Sequence, residues 1–458
     1  MGKRPHMVVT KIFMSESTEI LIIGAGSAGF AAAYRALQGG CQVTLVDKNP
    51  LPGGTSVFGG VNCWEPGVSG SGVHFELARR LLTSGGGFVG KTALLCRSGR
   101  PYALSDRSDD SYESTLKRFG VSPEYQRRFH FEPDEMSSLM LTLLHEADTC
   151  GKLTALWNST LSAVEAKDGR ILSCTIRTPD GERSFRPKLV IDASADIVCA
   201  QMAGCATAVG EEACSLYGEE IAPPEPRTRL NGITQCFRID KGEFRMPEEY
   251  KNADIGCTDE QLSRTVSCLN VYPRGGINVN MLPTIEGEAL LRLPYDRLTE
   301  ICRARVWRYF AMLRQREELQ DYTITEIFPM PGIRESRRLV GRYVLRYEDL
   351  RRGISSLGEA RSIAIADHPA DMHGIGGGLT PMGVYKIPYD CLLAREADNL
   401  LVACRGASFS HIAASSARLS RTMLELGEAA GRAAAYCAKN SILPADVSTA
   451  AIQTFSAI

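Results

Sequence analysis

Three glycines and one aspartate carry the clearest chemistry in this sequence. Gly24, Gly26 and Gly29 stand as Gly-x-Gly-x-x-Gly, and Asp47 follows 23 residues after the first of them. In that pattern Gly24 permits a tight turn, Gly26 lets a pyrophosphate approach the backbone, and Gly29 lets a helix pack close on a sheet. Ser27 and Ala28 open that helix, so their unpaired N–H groups offer a partial positive charge to phosphates. Asp47, with Lys48 beside it, is placed to bind ribose hydroxyls. The chemistry indicated is recognition of a dinucleotide.

Such a site needs a strand before the glycines, a helix after them and a second strand ending at the acid. Residues 20–23 are a short apolar run, Ala31, Ala32, Ala33, Ala36 and Leu37 keep the next helix slim, and 42–46 supply the second strand. After Lys48 the chain reads NPLPGGTSVFGGVNCWEPG, too rich in Gly and Pro for a helix or central strand. Its two Gly-Gly pairs, 53–54 and 59–60, bracket Thr55 and Ser56. A loop of this kind runs flat against a planar ligand, with Gly54, Gly60, Thr55 and Ser56 supplying N–H groups and hydroxyls.

Composition narrows the function classes. The 458 residues carry a formal net charge of −1, which gives no electrostatic reason for a nucleic-acid or anionic-membrane partner. No apolar run approaches the roughly 20 residues that cross a bilayer. The first residues lack the apolar core of a secretory signal and read as a disordered lead. Fifteen cysteines are scattered, odd in number and never spaced Cys-x-x-Cys, which argues against a zinc or iron–sulfur centre. They read as reduced thiols of a cytoplasmic protein. The expectation is no metal, and the oligomeric state is left open, a homo-oligomer included.

Along the rest of the chain, 75–82 reads as a helix, 83–90 as a Gly-rich break, and a further helix opens at Glu132-Pro-Asp with Met136, Met140, Leu143 and Leu144 in helical period. Strands follow at 153–157, 160–166, 171–177 and 182–185, punctuated by Asp168-Gly169 and Asp180-Gly181, as a small antiparallel meander. It feeds a strand at 188–191. Later strands are read at 235–239, 267–272 and 277–281, with a long helix at 298–319.

Several of these stretches resemble one family. The Gly-Gly-Thr-Ser loop soon after Asp47 resembles that of flavoproteins with a glutathione-reductase-type FAD domain. Disulfide reductases of that group carry two loop cysteines five apart, whereas this loop holds only Cys63, so dithiol chemistry is not expected. No histidine lies between 47 and 73, so the flavin is expected to be non-covalent. Asp192-Ala-Ser-Ala-Asp196 is similar to the family's Asp-Ala-Thr-Gly-Asp, with Ser194 for Thr and Ala195 for Gly. The segment from Gly332 to Gly341, with its Arg-Glu-Ser-Arg-Arg core, resembles FAD-dependent oxidoreductases related to the flavin subunit of heterodisulfide reductases. The likeness resumes at Asn399-Leu-Leu-Val-Ala-Cys-Arg405-Gly-Ala-Ser408 and runs through His411, Arg418 and the small-residue helix at Gly427 and Gly431. It implies that Ala193, Ser194, Asp196, Arg405 and Ser408 touch FAD.

The expected fold is therefore α/β: a Rossmann-like, discontinuous FAD domain with a parallel central sheet (16–205 and 386–440) and an inserted α+β substrate domain (206–385). The expected function is hydride transfer between a small, anionic organic substrate and flavin. An NAD-dependent dehydrogenase, or a non-catalytic flavin-binding sensor or scaffold, remains the alternative. Only one Gly-x-Gly-x-x-Gly follows a strand, so the electron partner is expected to be oxygen, quinone or a protein, and is not identified. Of seven histidines, His368, His373 and His411 lie beside the family-like stretches. His411 and then His373 are the expected acid/base groups, with Arg334, and Arg337 near it, orienting a substrate carboxylate. For the three arginines at 334, 337 and 338, a solvated helix face is the competing reading.

Overall fold

The computed structural model describes residues 15–65, 72–90, 93–95, 107–108, 128–355, 362–372, 379–380 and 383–454. Its elements are best taken in chain order. Strand β1 (Glu16–Ile23), helix α1 (Ser27–Gln38) and strand β2 (Val43–Val46) come first, followed by α2 (Val73–Ser84) and α3 (Pro133–Ala147). Strands β3 (Leu153–Leu156), β4 (Thr160–Lys167), β5 (Arg170–Thr178) and β6 (Gly181–Asp192) succeed them. Then come β7 (Cys236–Lys241), β8 (Val266–Val271), β9 (Ile277–Leu282), α4 (Tyr295–Leu313) and β10 (Tyr322–Ile327). Strand β11 (Leu400–Val402) and helices α5 (His411–Ala417) and α6 (Ser420–Asn440) complete the set used below.

Five strands lie parallel in the order β3, β2, β1, β6, β11. Side chains of β1 alternate as a strand requires: Ile20 and Ile22 join the core under α1 and α6, whereas Leu21 and Ile23 join the core on the opposite face. The strand at 153–156 is an edge of this parallel sheet, not the first arm of the meander. The meander is β4–β5–β6, antiparallel, with β6 running unbroken where the sequence suggested two strands on either side of Pro187. Along one edge β6 pairs with β5 as far as Phe185 and with β11 only from Val190. Pro187 falls in the gap between them, the place in a strand where a missing N–H is tolerated.

Helix α6 lies across α1 at backbone distance. A Cβ at Gly427 would stand 2.1 Å from the Ala28 carbonyl oxygen, and one at Gly431 2.3 Å from that of Ala32. Glycines and alanines share the same four-residue spacing, so the two helix surfaces meet turn for turn. Arg35 Nε adds a 2.7 Å bond to Glu428 Oε2, between residues 393 positions apart.

A second, antiparallel sheet runs β10, β7, β9, β8 and then Ala93–Leu95, with α4 packed on it through Val306, Tyr309 and Phe310. Helix α4 is shorter than the 298–319 read from sequence. It stops at Leu313, and a 3-10 turn at Glu317–Leu319 follows. Leu345, Leu350, Ala364, Ala366 and Tyr385 pack into the core of the parallel sheet, although they lie within the 206–385 stretch. Among the described residues no helix is long and apolar enough to cross a membrane.

Candidate active site

A cavity of about 510 Å³ lies between the carboxyl ends of β1, β2 and β6 and the second sheet. Crevices at strand ends of this kind are where α/β sheets bind ligands. The glycine turn forms one wall. A Cβ at Gly24 (φ +100°) would strike Ala193 O at 2.4 Å, so this glycine is demanded by the fold. Gly26 is different: a Cβ there would meet only Gly54 Cα, at 3.8 Å, leaving its exposed side open to the cavity. Ser27 and Ala28 line the cavity beside it, at the N-terminus of α1. That is the cradle a pyrophosphate needs.

Asp47 ties the end of β2 to this turn. Its Oδ2 accepts the Ala25 N–H at 2.5 Å, and its Oδ1 accepts the Asn49 N–H at 2.8 Å. Burial pushes its carboxyl up, against the pull of these hydrogen bonds. Lys48, Gly54 and Thr55 also line the cavity. Ser56 does not: it is buried, its Oγ 3.3 Å from Ser420 Oγ and accepting from Trp64 Nε1 at 3.3 Å. Gly60 is likewise a packing residue, with Phe328 only 2.2 Å from where its Cβ would be.

The Asp192–Asp196 turn closes the next side. Asp192 accepts the Ser194 hydroxyl at 2.6 Å and the Ala200 N–H at 2.9 Å, and burial raises its carboxyl. Ala195 takes φ +69°, so the turn keeps a left-handed residue without the glycine expected there. Ala193, Ser194 and Asp196 line the cavity, and Asp196 Oδ1 accepts from Arg405 Nη2 at 2.5 Å. Ser408 lies away from the cavity, fully buried, accepting the Gly341 N–H at 2.9 Å.

The remaining wall is polar and was not legible in the sequence. Asn62 is 0 % exposed, lines the cavity, and has no partner for either amide atom among the described residues. Orphaned buried amides call for a ligand with complementary donors and acceptors, and the edge of an isoalloxazine ring offers both. The residues present thus fit FAD, with Gly26, Ser27 and Asp47 at its phosphate–ribose end and Asn62 at a ring end. Cys63 lines the cavity, as do Cys236, Cys268 and Cys404, and its Sγ lies 4.0 Å from His130 Nε2.

Cations and carboxylates crowd the same cavity. Glu65 Oε2 is 3.2 Å from His368 Nε2, and Glu65 Oε1 is 3.0 Å from Arg128. Burial would raise the Glu65 carboxyl, but Arg128, helped by His368 and Arg421, holds it well below the usual carboxylate range. Arg418 pairs with Asp371 at 3.1 Å and Arg421 with Asp367 at 2.6 Å. Arg334 has no carboxylate within ion-pair distance among the described residues. Its Nη1 donates to Gly232 O at 2.7 Å and to Thr234 Oγ1 at 2.6 Å. Burial, and next the neighbouring Arg418, push its guanidinium down to about 10.

Of the three expected catalytic side chains Arg334 lines this cavity and His411 does not. His373 lies outside the described residues. His411 is 2 % exposed and lines a separate cavity of about 190 Å³ with Glu211, Glu212 and Glu219. Its Nδ1 lies 2.7 Å from Glu335 Oε1, and its N–H donates to Glu212 Oε2 at 2.9 Å. The reason is local: Ser410 Oγ caps α5 by accepting the Ala413 N–H, which starts the helix at His411 and commits that ring to the buried Glu335–Arg338–Glu212 network. Arg338, 1 % exposed, is held between the two glutamates, while Arg337 is exposed, so the arginine triplet is neither a helix face nor a single wall. Sequence reasoning missed Asn62, Glu65, Arg128 and Arg421. Of these Asn62 and Glu65, both in the Gly/Pro-rich stretch after Lys48, carried a positional hint. Among the described residues no group of His, Cys, Asp and Glu is placed to hold a metal ion.

Comparison with known proteins points the same way. A family model described as FAD dependent oxidoreductase matches residues 19–455. The chain is 52 % identical over 50 residues to a probable fumarate reductase of Shewanella frigidimarina (strain NCIMB 400), covering 10 % of this chain. It is 49 % identical over 41 residues to one chain of the opine oxidase of Agrobacterium tumefaciens (strain Ach5), covering 9 % of this chain. In both cases the match spans only 8 % of the relative's own length. Among solved structures it is similar to a geranylgeranyl bacteriochlorophyll reductase-like protein of Thermoplasma acidophilum, with TM-score 0.48 and 13 % identity over 96 % of this chain and 82 % of that one. It is also similar to a flavoprotein/dehydrogenase of Cytophaga hutchinsonii, with TM-score 0.44 and 14 % identity over 93 % and 80 % of the two chains. With a cradle that fits the cofactor and a family match over nearly its whole length, the chain belongs to the FAD dependent oxidoreductases, enzymes whose cofactor is FAD.

Proposed function

We propose that this enzyme transfers a hydride between a small organic anion and the flavin, with Arg334 binding the acid group of the substrate. The observation that carries this reading is a count of charges. Among the described residues Arg128, Arg418 and Arg421 each face a carboxylate, and Arg334 is left with peptide and hydroxyl partners. A guanidinium withdrawn into a cavity wall without a counter-ion favours a ligand that brings one. Bound FAD supplies the hydride-accepting or hydride-donating ring. The protein's part is to hold the substrate's acid group on Arg334 and to move a proton near it. Among the described residues His368, not His411, lines this cavity, and Glu65 orients it.

In this reading the FAD domain is of glutathione-reductase type and related to the flavin subunits of heterodisulfide reductases, supported by the glycine turn, Asp47 and the return strand β11. The loop after Asp47 lacks the second cysteine five residues from Cys63, which separates it from the disulfide reductases. The electron partner is oxygen, a quinone or another protein.

The test is an anaerobic screen of small carboxylates and their neutral amides, scored by bleaching of the flavin. Acids should bleach it and their amides should not. Arg334→Gln should raise KM for the active acid by roughly 10- to 150-fold, the worth of about 1.5–3 kcal/mol in charged hydrogen bonds, with FAD content unchanged. Equal bleaching by acids and amides, with Arg334→Gln indistinguishable from wild type, would overturn the assignment.

A further inference from the structure

Over the phosphate–ribose end of the large cavity, one aromatic ring reaches across from the second body. Tyr295 is the first residue of α4, directly after Pro294. The buried residues of that helix, Leu298, Ile301 and Cys302 among them, do the packing, whereas Tyr295 itself is 40 % exposed. Its ring centroid lies 5.2 Å from Lys48 Nζ, at the end of β2. On the other side it is near Asp196, after β6: burial first, and then the charge of Asp196, raise its phenol. Lys48, Asp196 and Tyr295 line the same cavity as Gly26, Ser27 and Asp47. The ring therefore borders the same crevice as the two strand ends and the glycine turn.

We infer that Tyr295 covers the adenosine–pyrophosphate half of bound FAD, and that its ring, held by the Lys48 ammonium, slows release of the cofactor. The inference rests on FAD lying along the glycine turn, and it adds a retaining residue contributed by the body that carries the second sheet. A ring on the face of a cation is a modest contact by itself. Stacking on a nucleotide base adds to it. The hydroxyl makes no hydrogen bond among the described residues, so the ring is the working part.

The experiment follows FAD leaving the purified holoenzyme, by the recovery of free-flavin fluorescence after dilution. Tyr295→Ala should release FAD roughly 5- to 50-fold faster than wild type, the combined scale of those two contacts. Tyr295→Phe and Tyr295→Trp, which keep a ring, should release it near the wild-type rate. The FAD-free forms of Tyr295→Ala and wild type should melt at the same temperature. A wild-type release rate for Tyr295→Ala would overturn the inference, as would fast release by Tyr295→Phe or an equally large drop in the melting temperature of the FAD-free protein. A wild-type protein that binds no FAD would instead bring down the underlying cofactor placement, so the two failures are distinct.

Discussion

Glu65 and His368 meet at 3.2 Å, Oε2 to Nε2, with both residues lining the large cavity. Because Glu65 is held ionised, its Oε2 accepts a hydrogen bond from Nε2–H, which leaves Nδ1 as the acceptor. That Nδ1 has no hydrogen-bond partner among the described residues. A carboxylate behind an imidazole with its far nitrogen unengaged is an arrangement suited to accepting a proton. His368→Ala should therefore keep FAD bound but slow anaerobic flavin reduction by about 10²–10⁴-fold. Rapid-mixing absorbance measurements would read this, and a wild-type rate would remove His368 from the chemistry.

Glu65 also sets an acid limit. Its folded-state pKa is depressed, so its contribution to stability is present above the ordinary glutamate value of about 4.3 and is lost as pH falls below it. Glu65→Gln should flatten the acid limb of the stability profile below about pH 4, while costing stability near neutrality. Urea melts across that range would show parallel profiles if Glu65 were not ionised in the fold.

Asp47 makes a different kind of contribution. Its Oδ2 already holds the glycine turn through the Ala25 N–H and its Oδ1 holds Asn49, and a ribose would use the remaining acceptor capacity of the same carboxylate. Asp47→Ala should weaken FAD binding by about 1.5–3 kcal/mol, the scale of hydrogen bonds to a charged group. Titration of FAD-free protein measures it directly, and an unchanged affinity would exclude the ribose contact.

His411 should now behave as a structural residue. Burial would raise Glu335, but His411 and then Arg338 hold its carboxyl low, so removing the ring strips a partner from a buried charge. His411→Ala should cost about 3–5 kcal/mol of stability and leave flavin reduction in the folded fraction close to wild type. Reduction slowed a hundredfold without loss of stability would return His411 to the reaction.

What was legible in the sequence was what is local. The β1–α1–β2 unit could be read because its glycines, its apolar period and Asp47 all fall within one short stretch and all act on one another. Pro187 misled because a proline's effect depends on which neighbour strand pairs with it, and here pairing with β5 has stopped and pairing with β11 has not begun. Ala195 holds a left-handed turn because Asp192 and Ser194 fix both sides of it, which composition alone does not reveal. The polar wall was the least readable part. Glu65, Arg128, Arg334 and His368 come from four distant stretches, and only the folded chain shows which arginine keeps a carboxylate. His411 sat at the right distance in sequence from β11, yet a serine cap turned its helix toward another network.

The close crossing of α1 and α6 bears on how the protein is made. The helix that opens the dinucleotide cradle emerges from the ribosome early, but the partner it fits, with Glu428 against Arg35, lies 393 residues further along. At about 5–20 residues per second, that partner arrives roughly 20 to 80 s later. Until then the alanine face of α1 has no glycine surface to meet, and the nascent cradle is an unfinished, sticky half. The cradle is thereby completed only late in synthesis.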